Sequence, residues 1–161
     1  MGAVEFRDLR ADDLPALGWA GSPTHLRSVA AELERAARGE VDYLAGVVTD
    51  GGDGLVRAVG AVDHRATPGR GALFQLVVHP DHRSQGLGTA LVGALEQRVR
   101  NRGNREAYLE VEVDNPRALA LYERLGYRRG GVRTSSWTAE RADGTTYLHR
   151  TRCRVLTRGL D

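Results

Sequence analysis

Arg83, Gly86 and Gly88 stand where an apolar strand gives way to a helix, within residues 76–88, LVVHPDHRSQGLG. Residues of those types at that place can hold a phosphate. The strand breaks at His79-Pro80, and the two glycines remove side chains that would keep backbone N–H groups away from an anion. Unpaired N–H groups in the helix's first turn, aided by its dipole, complete the cradle. The loop fails as a triphosphate-binding loop, because it has no Gly-Lys-Ser/Thr and the chain contains no lysine. It also fails as a dinucleotide fingerprint, since the spacing is Gly-x-Gly without a third glycine and its strand is not the first of a doubly wound sheet. NTP hydrolysis and hydride transfer are both disfavoured.

Glu110 and Glu112 are the second feature with chemistry in it. In AYLEVEV, residues 107–113, Leu109, Val111 and Val113 share one face of a strand. Tyr108, Glu110 and Glu112 share the other, with the carboxylates roughly 7 Å apart along the strand. A central strand should be apolar on both faces. Two acids there either pair with buried arginines or line a polar cavity.

The elements that must position these residues follow from periodicity and punctuation. A first strand is expected over residues 4–9. ADDLPALGW then starts a short helix with Asp12 or Asp13 as its N-cap, and GWAGSPT follows as a flexible loop. Thr24 caps a helix over residues 25–39, with Leu26, Val29, Ala30, Leu33 and Ala37 on one face and Gly39 at its end. YLAGVVTD, the turn GGDG and LVRAVGAVDH read as a hairpin, continued by a strand over residues 71–78. Residues 86–102 repeat apolar side chains at helical spacing up to Gly103. Asn115, extended before Pro116, caps a further helix that Gly126 stops. A final hairpin turns at Ala142-Asp143-Gly144. Strand, helix, strand implies a parallel crossover. The antiparallel first half and the β-α-β-α-β second half therefore give an α+β fold, a mixed sheet with helices on both faces.

Composition narrows the function. The 161 residues, 41% apolar and 27% charged, suit one domain over residues 1–161. No apolar run approaches the roughly 20 residues of a membrane span, and the first residues carry acids where a signal peptide needs apolar ones. A cytoplasmic location without membrane contact is expected. Cys153 is the only cysteine and the five histidines have no ligand-like spacing, so no metal is expected. The net charge of +2 spreads over arginines interleaved with acids, which argues against nucleic acid.

The runs LVVHPDHRSQGLGTALVGALEQRVRNRG and LEVEVDNPRALALYERLGY resemble the GNAT superfamily of acyl-CoA-dependent N-acetyltransferases, over residues 73–127 without a gap. The resemblance implies a mostly antiparallel sheet of about 6–7 strands. It implies acetyl-CoA as cosubstrate, its pyrophosphate on the backbone of Ser84, Gln85, Gly86, Leu87, Gly88 and Thr89, with Arg83 alongside. Leu76, Val77 and Val78 would pair through their backbone with the pantetheine arm, and the Val78 N–H would stabilise the oxyanion. Asn115 would contact coenzyme A as well as cap its helix. Beside a cofactor strand, the polar-cavity alternative for Glu110 and Glu112 is preferred.

A primary ammonium with a pKa near 10.4 leaves about one molecule in a thousand as free amine at pH 7, so something must take the proton. By resemblance Glu110 is that base, directly or through water, while Glu112 is the second candidate or a binder of positive charge. Gln75 stands where some relatives carry an acid, which removes that alternative source of a base. Tyr122 alone reads as a core tyrosine; the resemblance makes its hydroxyl the acid that serves the leaving thiolate. His79 and His82 fall in the coenzyme loop, and Cys153 packs in the last strand. Trp19, Glu112, Trp137 and Tyr147 are candidates to wall the acceptor space. Glu110, Glu112 and Asp114 favour a cationic acceptor, expected first as a small-molecule amine and second as a protein or peptide amine. A non-catalytic acyl-CoA sensor is the alternative of another class, opposed by the intact Glu110, Asn115 and Tyr122. A homodimer through the C-terminal strands fits the family's habits.

Overall fold

Seven segments of alternating or wholly apolar residues pair into one sheet in the computed structural model, which describes residues 2–49 and 54–161. The GGDG turn lies, except for Gly54, outside the described residues. The strands are β1 (Ala3–Asp8), β2 (Val41–Thr49), β3 (Leu55–Asp63), β4 (Gly71–Val78), β5 (Glu106–Glu112), β6 (Arg128–Glu140) and β7 (Thr146–Gly159). They lie in the order β1-β2-β3-β4-β5-β7-β6. Only β4 and β5 run parallel; the other neighbours are antiparallel. Three α-helices complete the fold: α1 (Pro23–Ala37) before β2, α2 (Leu87–Asn101) in the crossover from β4 to β5, and α3 (Pro116–Arg124) between β5 and β6. This is the mixed, mostly antiparallel α+β sheet that the resemblance implies.

Strand alternation divides the core between the two faces. Leu87, Leu91, Leu95 and Val99 of α2 and Leu119 of α3 pack with Leu44, Val62, Leu109 and Leu156 on one side. Val29 of α1 packs with Val41, Tyr43, Val59 and Leu17 on the other. The four α2 side chains are completely buried, a contribution of about 1.5–3 kcal/mol each. Gly71 lets α2 come this close: a Cβ there would lie 2.4 Å from Val99 Cγ2 and 2.8 Å from Val62 Cγ2. Gly71→Ala is therefore expected to destabilise the fold by about 1–3 kcal/mol through overpacking. An unchanged urea midpoint would refute the close approach.

Three local features depart from the sequence reading. Ser22, not Thr24, caps α1, its Oγ accepting the His25 N–H at 3.1 Å. Pro23 explains the shift, because its fixed φ and missing N–H suit the first helical position. Thr24 instead donates its hydroxyl to Glu140 of β6 at 2.7 Å. GWAGSPT is not a loose loop: Gly18–Ala20 form a 3-10 turn with Ala20 buried, and Pro23 and Thr24 already belong to α1. Before it, Ala11–Ala16 form a 3-10 helix with Pro15 inside and Arg10 at the cap position. Asp13 does not cap from outside; it accepts the Arg10 N–H at 2.8 Å from within the first turn. Its hydrogen bonds from the Arg7 guanidinium hold its carboxyl below the usual range.

Candidate active site

β4 and β5 pair at only two positions, Gly71 with Ala107 and Ala72 with Tyr108, and then part. The parting begins at a bulge in β4. Val59 faces Val77 while Ala61 faces Phe74, so β4 uses one more residue than β3 over this step. Gln75 absorbs the extra residue in a left-handed conformation, φ 55°. Its side chain fixes the bulge from two sides, accepting from the Tyr43 hydroxyl at 2.9 Å and donating to Ser28 Oγ at 3.0 Å. A bulge bends and twists its strand, and here it turns β4 away from β5.

The gap is the mouth of a cleft of about 1180 Å³. Its lining includes Ser28 and Glu32 of α1, on one face of the sheet, and Ala118 and Tyr122 of α3, on the other. The cleft therefore runs through the sheet. Leu76, Glu110, Glu112, Asn115, Tyr122 and Trp137 all line it, whereas Val77, Val78 and the loop residues 83–89 do not.

Backbone polarity follows from register. The His79 N–H donates to the Arg57 carbonyl at 2.8 Å, and Ala58 lies opposite Val78. Alternation along an antiparallel ladder turns the Val78 N–H and C=O away from β3, toward the side that β5 has left. Arg83 Nε reaches that carbonyl at 3.4 Å. Beyond a 3-10 turn at Pro80–His82 the chain passes through left-handed Ser84, φ 63°, and Gly86, φ 83°, into α2. Among the described residues, no backbone N–H from Ser84 to Thr89 finds an acceptor in the protein. Gly86 needs its freedom for its φ. At Gly88 a Cβ would meet only Val78 Cγ2, at 3.6 Å, so packing alone does not demand glycine there.

Glu110 lines the cleft, and the arginine it pairs with, Arg133, is exposed rather than buried. One carboxylate oxygen accepts from Arg133 Nε and the other from Ser135 Oγ at 2.8 Å. Hydrogen bonding to Glu110 raises the Arg133 pKa above its ordinary range. Sequence reasoning missed both β6 residues. The turn at 142–144 sets the register that places Arg133 opposite Cys153, but only the fold shows that Cys153 lies opposite Glu112. Glu112 accepts from Thr151 Oγ1 at 3.2 Å. Asn115 caps α3 by accepting the Ala118 N–H at 3.2 Å.

Tyr122 lies edge-on to Tyr127, ring centroids 5.9 Å apart. Burial pushes its hydroxyl above the usual phenol range, and among the described residues that hydroxyl has no protein partner. Tyr127, by contrast, donates to buried Glu96 at 2.7 Å, and Arg158 closes the network at 2.8 Å. Neither Glu96 nor Arg158 was anticipated.

The structure does not bring Trp19 to the cleft. Its ring packs against His79, centroids 5.1 Å apart, and against the α1-side core. Its place just before the α1 cap, in a turn rather than a loop, keeps it there. Trp137 does line the cleft and is 44% exposed, while Tyr147 stands nearby beneath the Arg141 guanidinium.

The sequence profile of the Acetyltransferase (GNAT) family matches residues 5–127. The chain belongs to that family. Fission yeast N-alpha-acetyltransferase 30 is 44% identical over 66 residues, 41% of this chain and 44% of that protein. The [Ribosomal protein bS18]-alanine N-acetyltransferase of Escherichia coli K12 is 43% identical over 61 residues, 38% of this chain and 41% of its own. The matched stretches thus span less than half the length of these curated relatives. The crystal structure of the ribosomal-protein-S18-alanine N-acetyltransferase from Escherichia coli shares this GNAT fold at TM-score 0.72 and 24% identity. It covers 99% of this chain and 95% of that one. A phosphinothricin acetyltransferase from Sinorhizobium meliloti, solved with AcCoA, does so at TM-score 0.72 and 20% identity over 98% and 88%.

Proposed function

We propose that this GNAT chain moves the acetyl group of acetyl-CoA onto a primary amine by direct attack within a ternary complex. The observation that carries this reading is the cleft through the sheet. Beyond its lining, the open edge of β4 turns the Val78 N–H outward, and the walls offer two carboxylates and a phenol without a protein partner among the described residues.

The free backbone N–H groups of Ser84 to Thr89 suit the pyrophosphate, and the open space at Gly88 admits its close approach. The unpaired edge of β4 over Leu76, Val77 and Val78 takes the pantetheine amides as a further strand would. Val78 then donates to the thioester oxygen as negative charge develops there, a preorganised contact worth several kcal/mol when lost. Glu110 accepts the ammonium proton directly or through water, and Tyr122 donates to the departing sulfur. Asn115 holds the α3 N-terminus at the cleft.

For the acceptor, the small-molecule expectation gives way to a protein or peptide amine. The two relatives at 43–44% identity bear names that specify N-alpha or ribosomal-protein amines. The test is mass spectrometry of peptides with free α-amines, peptides with only lysine amines, and small amines, each offered with acetyl-CoA. Acetylated peptide with stoichiometric CoA thiol release is expected. Acetylation confined to small amines would reverse the acceptor assignment. Tight coenzyme binding with no thiol release would replace transfer by sensing.

A further inference from the structure

Amide formation from an ammonium sheds two protons as the C–N bond forms and the C–S bond breaks. One, taken first by Glu110, replaces the Tyr122 hydroxyl proton that passes to sulfur, so both side chains end as they began. The other must leave a cleft that cosubstrate and acceptor together fill.

Glu110 is poorly placed to release it, because Arg133 and Ser135 engage both its oxygens. Glu112 differs. It lines the cleft, and its Oε2 lies 3.7 Å from Nε2 of His149 on β7. His149 is not part of the cleft lining, yet its side chain is one-third exposed. Glu112 is equally exposed, so what separates the two is the lining: Glu112 belongs to it, and the imidazole continues from Glu112 beyond it.

The imidazole is held in place. Trp137 of β6 packs on it with centroids 4.8 Å apart, and Tyr147 meets it edge-on at 6.3 Å. Thr151 Oγ1 steadies the same Glu112 oxygen. Among the described residues, Glu112 is the charged group that meets the ring from β5, Tyr147 the titratable group that meets it from its own strand, and Arg141 lies beyond Tyr147. Imidazole is the side chain that ordinarily exchanges protons with solvent near neutral pH.

We propose that Glu112 and His149 form the exit for the second proton, passing it from the acceptor nitrogen through the hairpin wall to solvent. The proposal rests on the acetyl-transfer reading. Glu112 is then a catalytic residue, and His149 a positioning and relay residue that acts through it.

The experiment compares the unaltered chain, His149→Gln and Glu112→Gln for CoA thiol release at pH 7, in weak buffer and with added imidazole. His149→Gln is expected to lose about tenfold in weak buffer, less than the roughly 100-fold of a missing direct base. Added imidazole should restore it while leaving the unaltered chain unchanged. Glu112→Gln should be slower and show no rescue. A His149→Gln variant as fast as the unaltered chain at every buffer concentration would overturn the exit, as would a loss that added imidazole leaves in place. Absence of thiol release from the unaltered chain with every acceptor would instead remove the transfer reading, and the exit with it.

Discussion

Tyr122→Phe is expected to slow turnover by about 100-fold while leaving both the fold and coenzyme A affinity intact. The substitution removes one oxygen and nothing else. The ring's edge-on packing against Tyr127 survives, and no protein group loses a hydrogen bond, because the hydroxyl has none among the described residues. Burial holds that hydroxyl above the ordinary phenol range, so it is protonated throughout neutral and mildly alkaline pH. It is thus an available acid when a thiolate of pKa near 8.5 departs. Single-turnover release of CoA thiol is the decisive measurement, with a thermal melt and calorimetric coenzyme binding as controls. An unchanged single-turnover rate would reduce Tyr122 to a packing residue.

Glu110→Gln carries the other large effect, a fall of about 100-fold in kcat/KM for the acceptor at pH 7. Glutamine keeps the shape and the Ser135 contact but cannot take a proton. The deficit should shrink as pH rises, since the free amine then exists without a base. The pH at which it closes reports the acceptor's own titration: near 8 for an α-amine, above 10 for lysine. A deficit that stays constant with pH would mean that Glu110 only anchors Arg133. The same measurement therefore tests both the base and the acceptor class.

What was legible in the chain and what was not divide along the range of the interactions involved. The glycine loop between β4 and α2, the α2 periodicity, the Asn115 cap and the terminal hairpin are set by neighbours within a few residues, and all lie where the pattern places them. Thr24 and Trp19 were misplaced because α1 begins at Pro23, two residues earlier than expected, and Gly18–Ala20 form a turn where a loop was read. The β4 bulge has no local signature: Gln75 is not a residue that advertises a positive φ, and partners on β2 and α1 hold it. The Arg133 clamp on Glu110 and the Glu112–His149 contact require β7 to insert between β5 and β6. No spacing along the chain encodes that order. The resemblance supplied roles for Glu110 and Tyr122 but not the partners that this particular chain has built around them.

The short seam between β4 and β5 has a consequence for the lifetime of the protein as well as for its chemistry. Two ladder pairs join the half-sheet β1–β4 to the half-sheet β5–β7–β6, whose side chains also share one core with α2. A cosubstrate lying along the open edge would act as the missing stitch between the halves. At a hundred times its Kd, any such ligand adds about 2.7 kcal/mol to the folded state, a large share of the roughly 5–15 kcal/mol that domains possess. Resistance to unfolding and proteolysis would then rise and fall with the concentration of acetyl-CoA.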